Sequence, residues 1–132
     1  MLRWGKMRYY YYDLTYYTCH YFENSKNIGW IDNVAYKSGD VAIDFIGNLY
    51  KYIEAPIRAV RDCFDPQEII YNGKKKQLGY FEIRVLSEDG KIKYASPDLI
   101  FYYVLKNRYK PPQEFINAVL YGPKPGSELC EN

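Results

Sequence analysis

Residues 80–94, YFEIRVLSEDGKIKY, decide the fold. Phe81, Ile83 and Val85 alternate with Tyr80, Glu82 and Arg84, the period-two pattern of a strand with one face in a core. Glu88-Asp89-Gly90 turns the chain, and Ile92 and Tyr94 sit on the returning strand, so the stretch reads as an antiparallel hairpin. Upstream, Ile57 to Arg61 and Glu68 to Tyr71 read as short strands. Asn72-Gly73 is the strongest two-residue turn signal in the chain and leads into Lys74-Lys75-Lys76, an exposed hairpin arm.

Helical spacing flanks these strands. Asp40 reads as the N-cap of a helix to about Glu54, with Ala42, Phe45, Ile46, Leu49 and Ile53 on one stripe and Pro56 as the stop. Gly47 inside it weakens the helix by about 1 kcal/mol relative to Ala and marks an expected contact point. Ser96-Pro97 reads as a cap and first turn opening a helix to about Asn107, with Leu99, Ile100, Tyr103 and Val104 aligned. Pro111-Pro112 ends it and starts a third helix, in which Phe115, Ile116, Val119 and Leu120 face inward before Gly122.

Towards the N-terminus, Asn27 to Ile31 reads as a short strand with Ile28 and Trp30 on one face. Tyr9 to Phe22 reads as a strand, a turn at Asp13 to Thr15 and irregular aromatic coil. The sum is an α+β fold, a small antiparallel sheet packed against about three helices, in one domain over residues 1–132 with a flexible tail at 123–132.

A chain of 132 residues has the length of one domain with a self-sufficient core. Its 18 basic and 16 acidic residues leave a net charge of +2, too little for a global field that would draw it to nucleic acid. Cys19, Cys63 and Cys130 are odd in number and far apart, without metal-ligand spacing, which fits a reducing cytoplasm. No apolar run suits a signal peptide or a membrane span, so no membrane association is expected.

Seven of the thirteen residues from Tyr9 to Tyr21 are tyrosines. Tyrosine joins a rigid apolar ring to a polar tip, which suits a recognition surface. Tyr11, Tyr12, Tyr16, Tyr17 and Trp30 are therefore the expected anchors for a protein partner, and a homodimer would use the same chemistry. The alternative site is basic and aromatic. Tyr71, Lys74, Lys75, Lys76, Tyr80 and Arg84, with Lys91 and Lys93, would suit a nucleotide or single-stranded nucleic acid if the hairpin arms pair, although lysines also guard solvated sheet edges.

Catalysis has little to build on. His20 is the only histidine, and its neighbour Cys19 would point to the opposite face of an extended chain. Asp13, Asp32 and Asp40 fall at turns and caps, where aspartate serves local hydrogen bonds. The residue pattern itself points to no phosphate loop, metal site or cofactor. The expectation is a small binding protein rather than an enzyme, for example an inhibitor of the immunity or phage anti-defence kind.

Several stretches together resemble an uncharacterised family of small bacterial proteins. They are Tyr10-Tyr11-Tyr12-Asp13-Leu14, Asn27-Ile28-Gly29-Trp30-Ile31-Asp32, Tyr94-Ala95-Ser96-Pro97, Leu99-Ile100, Tyr103-Val104 and Tyr109-Lys110-Pro111-Pro112 with Phe115. The resemblance implies a shared fold. It also implies a metal site built on a Cys-x-x-Cys and histidines, but the matching positions here are Cys63-Phe64-Asp65-Pro66, Ala35 or Tyr36, Tyr102 and Asn107, so no metal is carried over.

Overall fold

In a computed structural model that describes residues 12–17, 25–31, 36–59 and 66–125, the hairpin of residues 80–94 forms the centre of the main sheet. Strand β6 (Phe81–Leu86) pairs antiparallel with β7 (Lys93–Pro97). Outside them lie β1 (Tyr16–Tyr17), β2 (Ser25–Asn27) and β3 (Arg58–Ala59), in the order β1-β2-β7-β6-β3. The β2–β7 pair runs parallel, so this mostly antiparallel sheet is mixed at one step. A separate hairpin holds β4 (Gln67–Tyr71) and β5 (Lys74–Leu78). Three helices complete an α+β fold: α1 (Ile43–Ile53), α2 (Ile100–Asn107) and α3 (Gln113–Tyr121).

The core follows from the periodicities. Ile83 and Val85 are fully buried, and Tyr94, paired with Val85, places its ring 5.6 Å from Phe115 of α3. Phe115 in turn meets Phe45 of α1, with ring centres 6.4 Å apart. Burying such side chains contributes roughly 1.5–3 kcal/mol each, the main favourable term for the fold. The β4–β5 hairpin joins through Tyr71, whose ring lies 4.7 Å from Tyr50 and 5.1 Å from Phe101. Its turn takes the expected conformation, with Asn72 at φ 52° and Gly73 at φ 78°.

Several local expectations are corrected. Asp40 does not cap α1: the helix begins at Ile43 with Ala42 at the N-cap, and exposed Asp40 instead pairs with Arg108 at 3.1 Å. Ser96 and Pro97 belong to β7, opposite Ile83 and Glu82; proline is tolerated there because the bond to β6 beside it is made by the Asp98 N–H and β2 pairs no further than Ala95. The strand expected at Asn27 to Ile31 lies earlier. It stops at Asn27 because Gly29, at φ 78°, bends the chain, though Ile28 and Trp30 are both buried as expected.

Phe81 is exposed and Glu82 buried, the reverse of simple alternation, since this sheet is covered on both faces along β6 but uncovered at its first residue. Gly47 has room around it, for a methyl there would meet only the Tyr71 hydroxyl, 3.8 Å away. Residues 123–125 are tied down: Tyr52 donates to the Pro123 carbonyl at 2.8 Å, and the Lys124 ammonium donates to the Leu120 and Gly122 carbonyls. Among the described residues no helix is long and apolar enough to cross a membrane.

Candidate functional site

The turn expected at Asp13 to Thr15 is present and carries the site. Thr15 closes it, its N–H and hydroxyl both donating to the Tyr12 carbonyl at 3.3 and 2.7 Å. Leu14 adopts φ 70°, a left-handed conformation that costs a non-glycine residue about 1 kcal/mol or more. The turn is held against β2, with the Leu14 N–H donating to the Asn27 carbonyl and the Asn27 N–H to the Thr15 carbonyl at 2.7 and 2.6 Å. Leu14 packs against the core, which holds the strained residue in place.

Asp13, at the centre of this turn, reaches across to two distant segments. Its Oδ1 accepts from the Gly29 N–H at 2.9 Å and its Oδ2 from the Tyr109 hydroxyl at 2.7 Å. Burial pushes the Asp13 carboxyl above its ordinary value, while both hydrogen bonds pull it down. Burial first, and then the Asp13 charge, raise the Tyr109 hydroxyl well above the usual tyrosine value. Three of the stretches that carry the family resemblance, around Asp13, Gly29 and Tyr109, therefore meet at one carboxylate.

Tyr109 is set by the end of α2. Arg108, at φ 55°, turns the chain out of the helix, and the Tyr109 N–H returns to the Tyr103 carbonyl at 3.1 Å. Tyr109 then forms an antiparallel bridge with Ser38, and Tyr36 meets its ring edge-on at 5.8 Å. Beside it opens a cleft of about 260 Å³ lined by Asp13, Lys37, Lys110, Pro111, Pro112 and Gln113. Next to the cleft, Glu114 accepts from the Lys26 ammonium at 3.0 Å and the Tyr94 hydroxyl at 2.8 Å. Burial alone would raise the Glu114 carboxyl, but these two donors outweigh it and hold it below the usual range.

The expected partner anchors divide. Tyr12 and Tyr16 are 70% and 63% exposed, one on each side of the pinned turn. Tyr17 pairs through its backbone with Ser25, and Tyr11 lies outside the described residues. Trp30 is not a surface anchor: it is 3% exposed, and its indole N–H donates to the Ala95 carbonyl at 3.0 Å because the Gly29 bend turns it inward.

The alternative site is divided between the two sheets. Lys74, Lys75 and Lys76 lie on β5, which pairs with β4, whereas Arg84 and Lys93 lie on the main sheet and Lys91 precedes β7. Tyr80 is exposed, whereas Tyr71 is half-buried, with its ring packed against Tyr50 and Phe101. His20, Asp32 and the three cysteines lie outside the described residues, and among those described no acidic, histidine or cysteine cluster could hold a metal.

Lys37, Tyr109 and Lys110 are the site residues that sequence reading missed. The Tyr-x-Pro-Pro stretch pointed to Tyr109, while nothing local marks two lysines brought together by a single β-bridge. A family model described as a domain of unknown function (DUF7919) matches residues 9–120. No curated protein and no solved structure matches the chain.

Proposed function

The chain belongs to this DUF7919 family of domains of unknown function, and we propose that it is a non-catalytic cytosolic binding domain that engages a protein partner through the aromatic face at Tyr12 and Tyr16. One observation carries the reading. Two large exposed rings flank a turn whose backbone is fixed by the Asp13 bonds to Gly29 and Tyr109 and by the β1–β2 pairing. Rings presented on a fixed backbone lose little entropy on binding, which is how aromatic anchors come to dominate interface energies. In its narrowest form the proposal is an inhibitor of the immunity or anti-defence kind, acting by covering a partner's surface. The nucleotide alternative has less support, because the Tyr71 ring is already engaged by Tyr50 and Phe101.

The test is capture from lysate of the source cells with tagged wild type beside a Tyr12→Ala/Tyr16→Ala variant, with bound nucleic acid and nucleotides assayed in the same eluate. A protein held by wild type and weakened about 100-fold or more in the folded variant is the expected result, the loss of two anchor rings. Salt-sensitive retention of nucleotides or nucleic acid with no protein would refute the reading.

A further inference from the structure

Lys37 and Lys110 stand opposite each other where the segment before α1 meets the segment after α2. Ser38 and Tyr109 form the antiparallel bridge, and the Lys110 N–H donates to the Lys37 carbonyl at 2.9 Å, so the next pair along this ladder is lysine on lysine. Both side chains line the 260 Å³ cleft. Like charges directly opposed across a β pair repel and destabilise it. Among the described residues no carboxylate forms an ion pair with either ammonium, although Arg108 beside them has Asp40 and Lys26 has Glu114.

The arrangement is built around the pair. The stem of Lys110 runs over Gly39, where a Cβ would stand 2.9 Å from Lys110 Cδ. Among the described residues the other charge lining the cleft is Asp13, whose two oxygens accept from Gly29 and Tyr109. Two ammonium groups and one carboxylate leave the lining one positive charge in excess, which matches a single carboxylate better than a phosphate dianion. The volume also falls below the roughly 300–1,000 Å³ usual for small-molecule pockets and suits one side chain.

We propose that the Lys37–Lys110 cleft receives an aspartate or glutamate side chain of the protein partner, which thereby contacts the lysines and the neighbouring Tyr12 together. This rests on the protein-binding reading and adds its chemistry: the partner presents an acidic residue beside an apolar surface. An acidic group between the lysines replaces their repulsion with two charge-assisted hydrogen bonds.

The experiment is a titration of the ¹⁵N-labelled full chain at low salt, followed by NMR, with acetyl-Ala-Glu-Ala-amide, its glutamine counterpart and inorganic phosphate. The glutamyl peptide is expected to shift the Lys37, Lys110 and Gln113 amides saturably and to bind about tenfold tighter than the glutaminyl peptide, with that preference gone in a Lys37→Gln/Lys110→Gln variant. Equal response to both peptides, saturable shifts centred elsewhere, or tighter binding of phosphate would each overturn the proposal. The titration needs no partner, so an unselective cleft leaves the Tyr12 and Tyr16 reading standing. A selective cleft in a chain that captures no protein would refute the protein partner in both proposals and leave the carboxylate preference of the cleft.

Discussion

Asp13 and Asp98 perform the same manoeuvre in two parts of the molecule. Each is a partly or wholly buried carboxylate that reaches a glycine with positive φ and accepts its N–H, Asp13 from Gly29 at 2.9 Å and Asp98 from Gly79 at 2.8 Å. What surrounds them differs. Asp98 is 2% exposed and returns its own N–H to the Phe81 carbonyl, so it is sealed into the joint between β5, β6 and β7. Asp13 takes one backbone donor and one hydroxyl and lines a cleft with two lysines, next in the chain to exposed Tyr12. A buried carboxylate whose donors all come from the backbone beside it is a fastening; one shared between distant segments at a cleft fixes a surface in place.

The largest expected effect falls on the sealed side. Asp98→Ala leaves the buried Gly79 N–H without its acceptor and is expected to cost about 3 kcal/mol in urea unfolding. Gly79→Ala should approach it, because the new Cβ would stand 2.9 Å from Pro66 Cα at φ 117°, whereas at Gly29 it would meet only the Ile100 side chain, 3.0 Å away. Equal losses at the two glycines would break the contrast.

Burial pushes the Asp98 carboxyl up to about 6, against the pull of the Gly79, Phe81 and Tyr80 backbone N–H groups and of Lys76. A carboxyl raised in the folded state binds its proton more tightly there than in the unfolded chain. Its contribution is therefore full below about pH 4 and is lost as pH rises through about 6, a span worth up to about 3 kcal/mol. Asp13 acts in the same direction. Stability measured from pH 4 to 7 should fall over this window, and Asp98→Asn should flatten most of the slope. A slope that survives Asp98→Asn and disappears in Asp13→Asn would reverse the assignment.

Tyr109→Phe removes the hydroxyl from Asp13 Oδ2 and should cost about 1–2 kcal/mol, with the amide shifts of residues 12–15 as the second readout. The smallest effect is of opposite sign. Lys37→Gln relieves the pair with Lys110 and should stabilise the free protein by a few tenths of a kcal/mol, while weakening the response to the glutamyl peptide.

The same contrast explains what the sequence disclosed. The β4–β5 hairpin, the β6–β7 hairpin and α3 were legible because their signals are local: Asn72-Gly73, the alternation through Val85, and Pro111-Pro112 before an apolar stripe. Starts of helices were less so, since Asp40 and Ser96 are good caps by type, yet one pairs with Arg108 and the other lies in a strand. Asp13 was readable as a turn aspartate and no more, because its partners lie 16 and 96 residues away. Trp30 was misplaced for a related reason, the inward bend at Gly29. Lys37 and Lys110 had no sequence signal, as a single bridge carries no periodicity.

Hydrogen–deuterium exchange of the captured complex against the free chain tests the central claim most directly, that the Asp13 side is the binding face and the Asp98 side a fastening. Slower exchange on complex formation is expected at residues 12–17, 36–40 and 108–113, with 76–82 unchanged. Protection confined to 76–82 would contradict the account and return the function to Tyr80 and the lysine arm.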